Sequence, residues 1–146
     1  ITWMNWEGIS ERDRNLARFC RRIIKLRKKL KIFERRKFLT GKPIDKTGIK
    51  DITWYTEAGA EMHNEAWHDG SRKCLAYSIY NGSKYVFCIL NANYGEVVWQ
   101  LPDIDKNYTW NLLLDTSDKF NDENKVSSNQ KIHVPSWSVL LFEIRK

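Results

Sequence analysis

The side chains best suited to chemistry gather in two short clusters. Glu61, His63, Glu65, His68 and Asp69 place imidazoles and carboxylates close together. Zinc ligands on a helix stand three or four places apart, and this spacing fits no zinc pattern. The segment therefore reads as a solvated loop. Asp115, Asp118, Asn121, Asp122 and Glu123 form an oxygen-rich stretch of the kind calcium takes. The glycine and the alternating ligand spacing of a calcium loop are missing, so it reads as a polar surface loop. There is no glycine-rich phosphate loop, and Ser10, Ser71 and Ser78 lack a nucleophile-elbow context. Carboxylates are plentiful, but no spacing singles out a working pair. The residues thus nominate no catalytic group, no metal ligand and no cofactor.

Tryptophan is the other unusual feature, with seven in 146 residues. Indole supplies a large contact area and a single donor, which suits a packed β core, a sugar-binding surface, or both. Trp99, Trp110 and Trp137 fall in strand patterns and are expected in a core. Trp54 and Trp67 flank loops and are expected to pack a junction between helix and sheet. Cys20, Cys74 and Cys88 form no readable disulfide framework. Reduced thiols in a cytoplasmic protein are the expectation. No apolar run is long enough to span a membrane, and no signal peptide is readable. The chain opens on Ile1-Thr2-Trp3 without a methionine, and we expect the natural protein to extend upstream.

Two kinds of element must position these residues. From Ser10 to Leu30 the apolar positions Leu16, Phe19, Cys20, Ile23, Ile24, Leu26 and Leu30 recur at helical steps. Ser10 and Asp13 have the spacing of a capping box. This predicts a helix from about residue 10 to about residue 31, with Arg14, Arg18, Arg21, Arg22, Lys25, Lys28 and Lys29 on its wet face. The segment 10–37 holds 13 of the 25 Lys and Arg but only 3 of the 18 Asp and Glu, so it carries the whole excess of a net +7 chain. Arg27 falls among the apolar positions, where a guanidinium needs a partner, and a paired Arg27 is expected.

After about residue 50 the period becomes two. Strands are predicted over 51–55, 75–80, 85–90, 97–101, 110–114, 132–134 and 137–144. Asn81-Gly82 is expected to turn a hairpin, because both residues tolerate positive φ. Trp110, Leu112 and Leu114 are expected on one face, and 115–129 as a long loop. About seven strands at hairpin spacing read as a mostly β chain: an antiparallel β-sandwich preceded by one long amphipathic helix.

The order of the motifs resembles the end of a glycoside hydrolase family 13 enzyme of the isoamylase and glycogen-debranching subgroup. Ile1-Thr2-Trp3-Met4-Asn5-Trp6 resembles the I-x-W-x-D-W that follows the eighth barrel strand, with Asn5 in place of the usual Asp. Ile24-Lys25-Leu26-Arg27 resembles the L-I-x-L-R of the eighth helix. Asp51-Ile52-Thr53-Trp54 resembles D-I-x-W. Gly59-Ala60-Glu61-Met62 with Trp67 resembles G-x-E-M…W. Ile89-Leu90-Asn91-Ala92 resembles L-L-x-N-A, and Leu113-Leu114-Asp115-Thr116 resembles L-x-D-T.

The resemblance implies that residues 1–40 are the end of a truncated (β/α)8 barrel, including its last helix. Residues 41–146 would be an alpha-amylase-type C-terminal β-sandwich domain. It implies a parent enzyme that hydrolyses α-1,6 branches of glycogen or limit dextrin by a retaining, two-carboxyl mechanism. The catalytic carboxylates would lie upstream on the barrel, leaving a non-catalytic part that stabilises it. Trp3 and Trp6 would then be the best candidates for substrate proximity, with packing in the barrel as their other role. The expected partners are the barrel of the same chain and, through the intact enzyme, branched α-glucan. An autonomous α-glucan-binding module is the alternative. The basic helix raises nucleic acid as a third reading, but no recognition motif supports a specific one.

Overall fold

The computed structural model describes residues 8–34, 37–44, 46–119 and 125–145. Trp3 and Trp6 lie outside the described residues, as does the 121–123 part of the oxygen-rich stretch. The chain divides into two compact units, Ile1–Arg35 and Arg36–Lys146.

The first unit is built on helix α1, Glu11–Leu30. Ser10 caps it as its spacing predicts. The Ser10 Oγ accepts from the Asp13 N–H at 3.2 Å, and the Asp13 carboxylate accepts from the Ser10 N–H at 3.0 Å. The Ser10 hydroxyl, which also donates to that carboxylate at 2.6 Å, and then the Ser10 N–H hold the Asp13 carboxyl below its ordinary range. Glu11 and Asp13 in the first turn and Arg27, Lys28 and Lys29 in the last oppose the helix dipole. The helix stops where Lys31 turns left-handed at φ 53 and its N–H returns to the Arg27 carbonyl. Leu30 is buried, but Leu16, Ile23 and Ile24 are exposed. The apolar stripe predicted from the sequence exists and much of it faces solvent.

In the second unit the elements run β1 (Ile52–Tyr55), α2 (Asn64–His68), β2 (Cys74–Tyr80), β3 (Tyr85–Asn91), β4 (Val97–Gln100), β5 (Thr109–Asp115), β6 (Lys125–Val126), β7 (Lys131–Val134) and β8 (Ser138–Arg145). Six strands form an antiparallel sheet in the order β1-β2-β3-β8-β5-β6, and β4 pairs with β7 in a second sheet. The chain is thus mostly β and antiparallel. One core draws on both sheets: Ala76, Phe87, Ile89, Trp110, Leu140 and Phe142 from the larger, and Trp99, Ile132 and Val134 from the smaller. Each set follows the period of two that puts alternate side chains on one face.

Three expectations are corrected. The segment expected as a loop around His63 contains the short helix α2. The long loop after Asp115 contains the two-residue strand β6, which pairs with Trp110 and Asn111. Leu114 does not share a face with Trp110. Leu112 pairs with Phe142 but Leu114 with Leu141, so Leu113 is an extra residue in a bulge that turns the rest of β5 over. The Asn81-Gly82 hairpin forms, but only Gly82 has positive φ. Asn81 instead uses its side-chain oxygen, which accepts from the Ser83 and Lys84 N–H groups at 3.1 and 2.8 Å.

Candidate functional site

The residues that carry the sequence motifs hold the β unit together. Asp51 is buried, and its carboxylate accepts from the N–H groups of Thr40 at 2.9 Å and Gly41 at 2.8 Å, pinning the incoming chain. Gly59 has φ +74, and a Cβ there would stand 2.8 Å from the Gln100 carbonyl oxygen. Only glycine fits such a position. Thr116 clasps β8 twice: its N–H donates to the Val139 carbonyl at 3.2 Å and its Oγ1 accepts from the Val139 N–H at 2.9 Å.

Asn91 joins the two sheets. Its Nδ2 has the carbonyls of Gly95, Val134 and Pro135 within 3.2, 3.2 and 2.9 Å, and its Oδ1 accepts from the Asn93 N–H at 2.9 Å. A buried amide so fully bonded fixes whatever its partners carry. Those partners are the loop 92–96 and the turn 135–137.

The sequence clusters resolve differently. His63 caps α2, its Nδ1 accepting from the Ala66 N–H at 3.3 Å, and His68 Nδ1 lies 2.7 Å from the Asn64 carbonyl. Asp115 is buried and accepts from the N–H groups of Ser117 at 2.8 Å and Lys119 at 2.9 Å, so its carboxylate shapes its own loop. Among the described residues no three His, Cys, Asp or Glu side chains are grouped to hold a metal ion. Arg27 is exposed rather than enclosed, and no carboxylate among the described residues pairs with it.

The tryptophans divide. Trp99 and Trp110 are wholly buried, as their strand positions predict. Trp54 meets Trp67 edge-on at 5.6 Å and Tyr77 at 5.4 Å. Trp137 corrects the expectation of a core residue: it is 59% exposed, precedes β8, and has φ +51. Its ring meets that of Tyr94, 81% exposed, edge-on at 5.1 Å. Pro135 breaks the strand pattern just before it, which was the available cue that Trp137 belongs to a turn. Tyr94 lies in a loop with no pattern to expose its role.

A cleft of about 570 Å³ lies elsewhere on the unit, bounded by Tyr80, Tyr85, Tyr108 and Glu143. The buried Glu143 carboxylate accepts from Arg145 Nε at 2.6 Å, so its charge is answered in place. Burial pushes the Tyr85 hydroxyl up, away from ionisation. That hydroxyl is not poised for proton transfer near neutral pH.

Comparison with known proteins places the chain. Proteins described as "Glycogen operon protein GlgX homolog" from Mycobacterium bovis and Mycobacterium tuberculosis are 30% identical to it over 97% of its length. The chain spans only 22% of the length of those relatives. Residues 51–135 match the family described as isoamylase, C-terminal. That span opens at the Asp51 clamp and includes Gly59, Asn91 and Thr116, and it covers more than half of the chain. The chain belongs to the isoamylase C-terminal family.

Proposed function

We propose that this chain is the C-terminal part of a glycogen-debranching α-1,6-glucosidase and that its own role is structural, not catalytic. In this reading residues 1–40 complete a (β/α)8 barrel and residues 41–146 form the C-terminal domain that stabilises it. The observation that carries the reading is the apolar stripe of α1. Leu16, Ile23 and Ile24 repeat at helical spacing, yet they are 60%, 37% and 53% exposed. A helix that presents such a stripe is built to cover a larger body. The resemblance of the motifs to a barrel end, and the small share of the relatives that the chain spans, support the same partner.

The barrel supplies both carboxyl groups of the retaining mechanism. Trp3 and Trp6 lie near the substrate face, and Arg27 pairs with a carboxylate of the barrel. Branched α-glucan is the substrate of the intact enzyme. The basic side chains of α1 form its solvated side, with no specific nucleic acid partner. No helix among the described residues is long and apolar enough to cross a membrane. We assign the enzyme to the cytoplasm, where its three free thiols stay reduced.

The test pairs this chain with the barrel of a mycobacterial relative made without its own C-terminal part. The chain alone releases no reducing ends from glycogen. Added to the barrel, it raises the melting temperature and the debranching rate, and a variant with Leu16, Ile23 and Ile24 all changed to Ser does neither. Reducing ends released by the chain alone, or a barrel indifferent to it, would contradict the proposal.

A further inference from the structure

We propose that Tyr94 and Trp137 form a surface binding site for a curved α-glucan segment. The fold's own stability does not account for this pair. Trp137 leaves 59% of its surface in water and Tyr94 leaves 81%. Trp137 also sits at φ +51, a conformation glycine takes freely and a bulky side chain resists. An exposed indole on a strained backbone is a feature of binding sites rather than of packing.

The pair is held from beneath. Asn91 donates to the Gly95 carbonyl beside Tyr94 and to the Pro135 carbonyl two residues before Trp137, so one buried amide anchors both loops. Ser138 Oγ donates to the same Pro135 carbonyl at 2.6 Å. Glu96 is tied to β7 through His133 at 2.5 Å, and the Lys73 ammonium lies 5.5 Å from the centre of the Tyr94 ring. Loops fixed in this way lose little freedom on binding.

The chemistry fits a sugar. Pyranose rings offer C–H faces to aromatic surfaces and hydroxyls to polar groups. A hollow of about 450 Å³ is lined by Glu96, Asp118, Lys119, Pro135 and Ser136; Glu96 is two positions from Tyr94 and Ser136 adjoins Trp137, so its polar groups are the ones the site would use. The two rings stand at 87° to each other. A flat β-1,4 ribbon needs coplanar platforms, whereas successive sugars of an α-1,4 chain turn their faces. The choice of an α-glucan rests on the debranching reading; the aromatic site does not.

Calorimetric titration of the chain with maltoheptaose and with cellohexaose tests this. We expect saturable binding of maltoheptaose, weakened at least about tenfold in Trp137→Gly and in Tyr94→Ala. Glycine accepts the backbone of position 137, so Trp137→Gly keeps the fold, which a thermal melt checks. Phe38→Ala, at another exposed aromatic, leaves binding unchanged. Absence of binding to both sugars, or Trp137→Gly binding as tightly as the parent, overturns the site and leaves the debranching reading untouched. Cellohexaose bound as tightly as maltoheptaose overturns the α-glucan assignment and counts against the debranching reading as well.

Discussion

Trp99 and Trp110 occupy the same core, yet their indole N–H groups fare differently. Trp110 Nε1 donates to the Pro102 carbonyl at 3.2 Å. Trp99 Nε1 is buried with no acceptor among the described residues. Both changes to Phe remove similar apolar volume, but only Trp110→Phe also breaks a hydrogen bond and strands a carbonyl. Trp110→Phe should therefore cost about 1 kcal/mol more than Trp99→Phe. Urea unfolding of the two variants checks the order, and a reversed order would contradict it. The buried thiols make a second residue-scale case. Burial, with the Glu57 carboxylate adding to it, pushes the Cys74 thiol from 9.0 up to about 12. Cys88, Tyr77 and Tyr85 move the same way, chiefly through burial. Between the two Cys74 values the unfolded chain gives up a proton that the folded chain keeps. The stability that Cys74 contributes is therefore full below about pH 9 and is lost as pH rises towards about 12. Urea midpoints measured across that range should decline, and Cys74→Ala should reduce the slope. A flat profile would contradict the account.

At the scale of elements, close approach between loop and strand matters as much as strand pairing. Gly59 meets the Gln100 carbonyl just where β4 ends, and its N–H closes a turn onto the Thr56 carbonyl at 2.9 Å. A methyl group at 59 must displace the backbone of residue 100 and accept a left-handed φ. Gly59→Ala should cost about 1–3 kcal/mol, read as a lowered melting temperature; a variant as stable as the parent would contradict this. Helix α1 was legible in the sequence because periodicity, capping box and uninterrupted helix formers agree. The strands were legible wherever alternation was clean, as in β2 and β3. The bulge at Leu113 was not, since three consecutive leucines look alike on either face. Helix α2 is too short to show a period, and β6 exists only through its pairing with β5. The aromatic pair was illegible for a related reason: Tyr94 and Trp137 lie 43 positions apart and are joined only by the topology that brings their loops to Asn91.

For the whole molecule, the distribution of apolar surface carries the central claim. The β unit completes a core of its own from two sheets. Among the described residues the helical unit does not, because α1 keeps Leu16, Ile23 and Ile24 in solvent and buries only Leu30. Such an imbalance suits a chain that ends one domain and forms the next. The most direct measurement is an immunoprecipitation from the source cells with an antibody raised against this chain. The account predicts a polypeptide several times heavier than 17.4 kDa that releases α-1,6-linked branches from glycogen. A polypeptide of 17.4 kDa, or a heavier one without debranching activity, would contradict it.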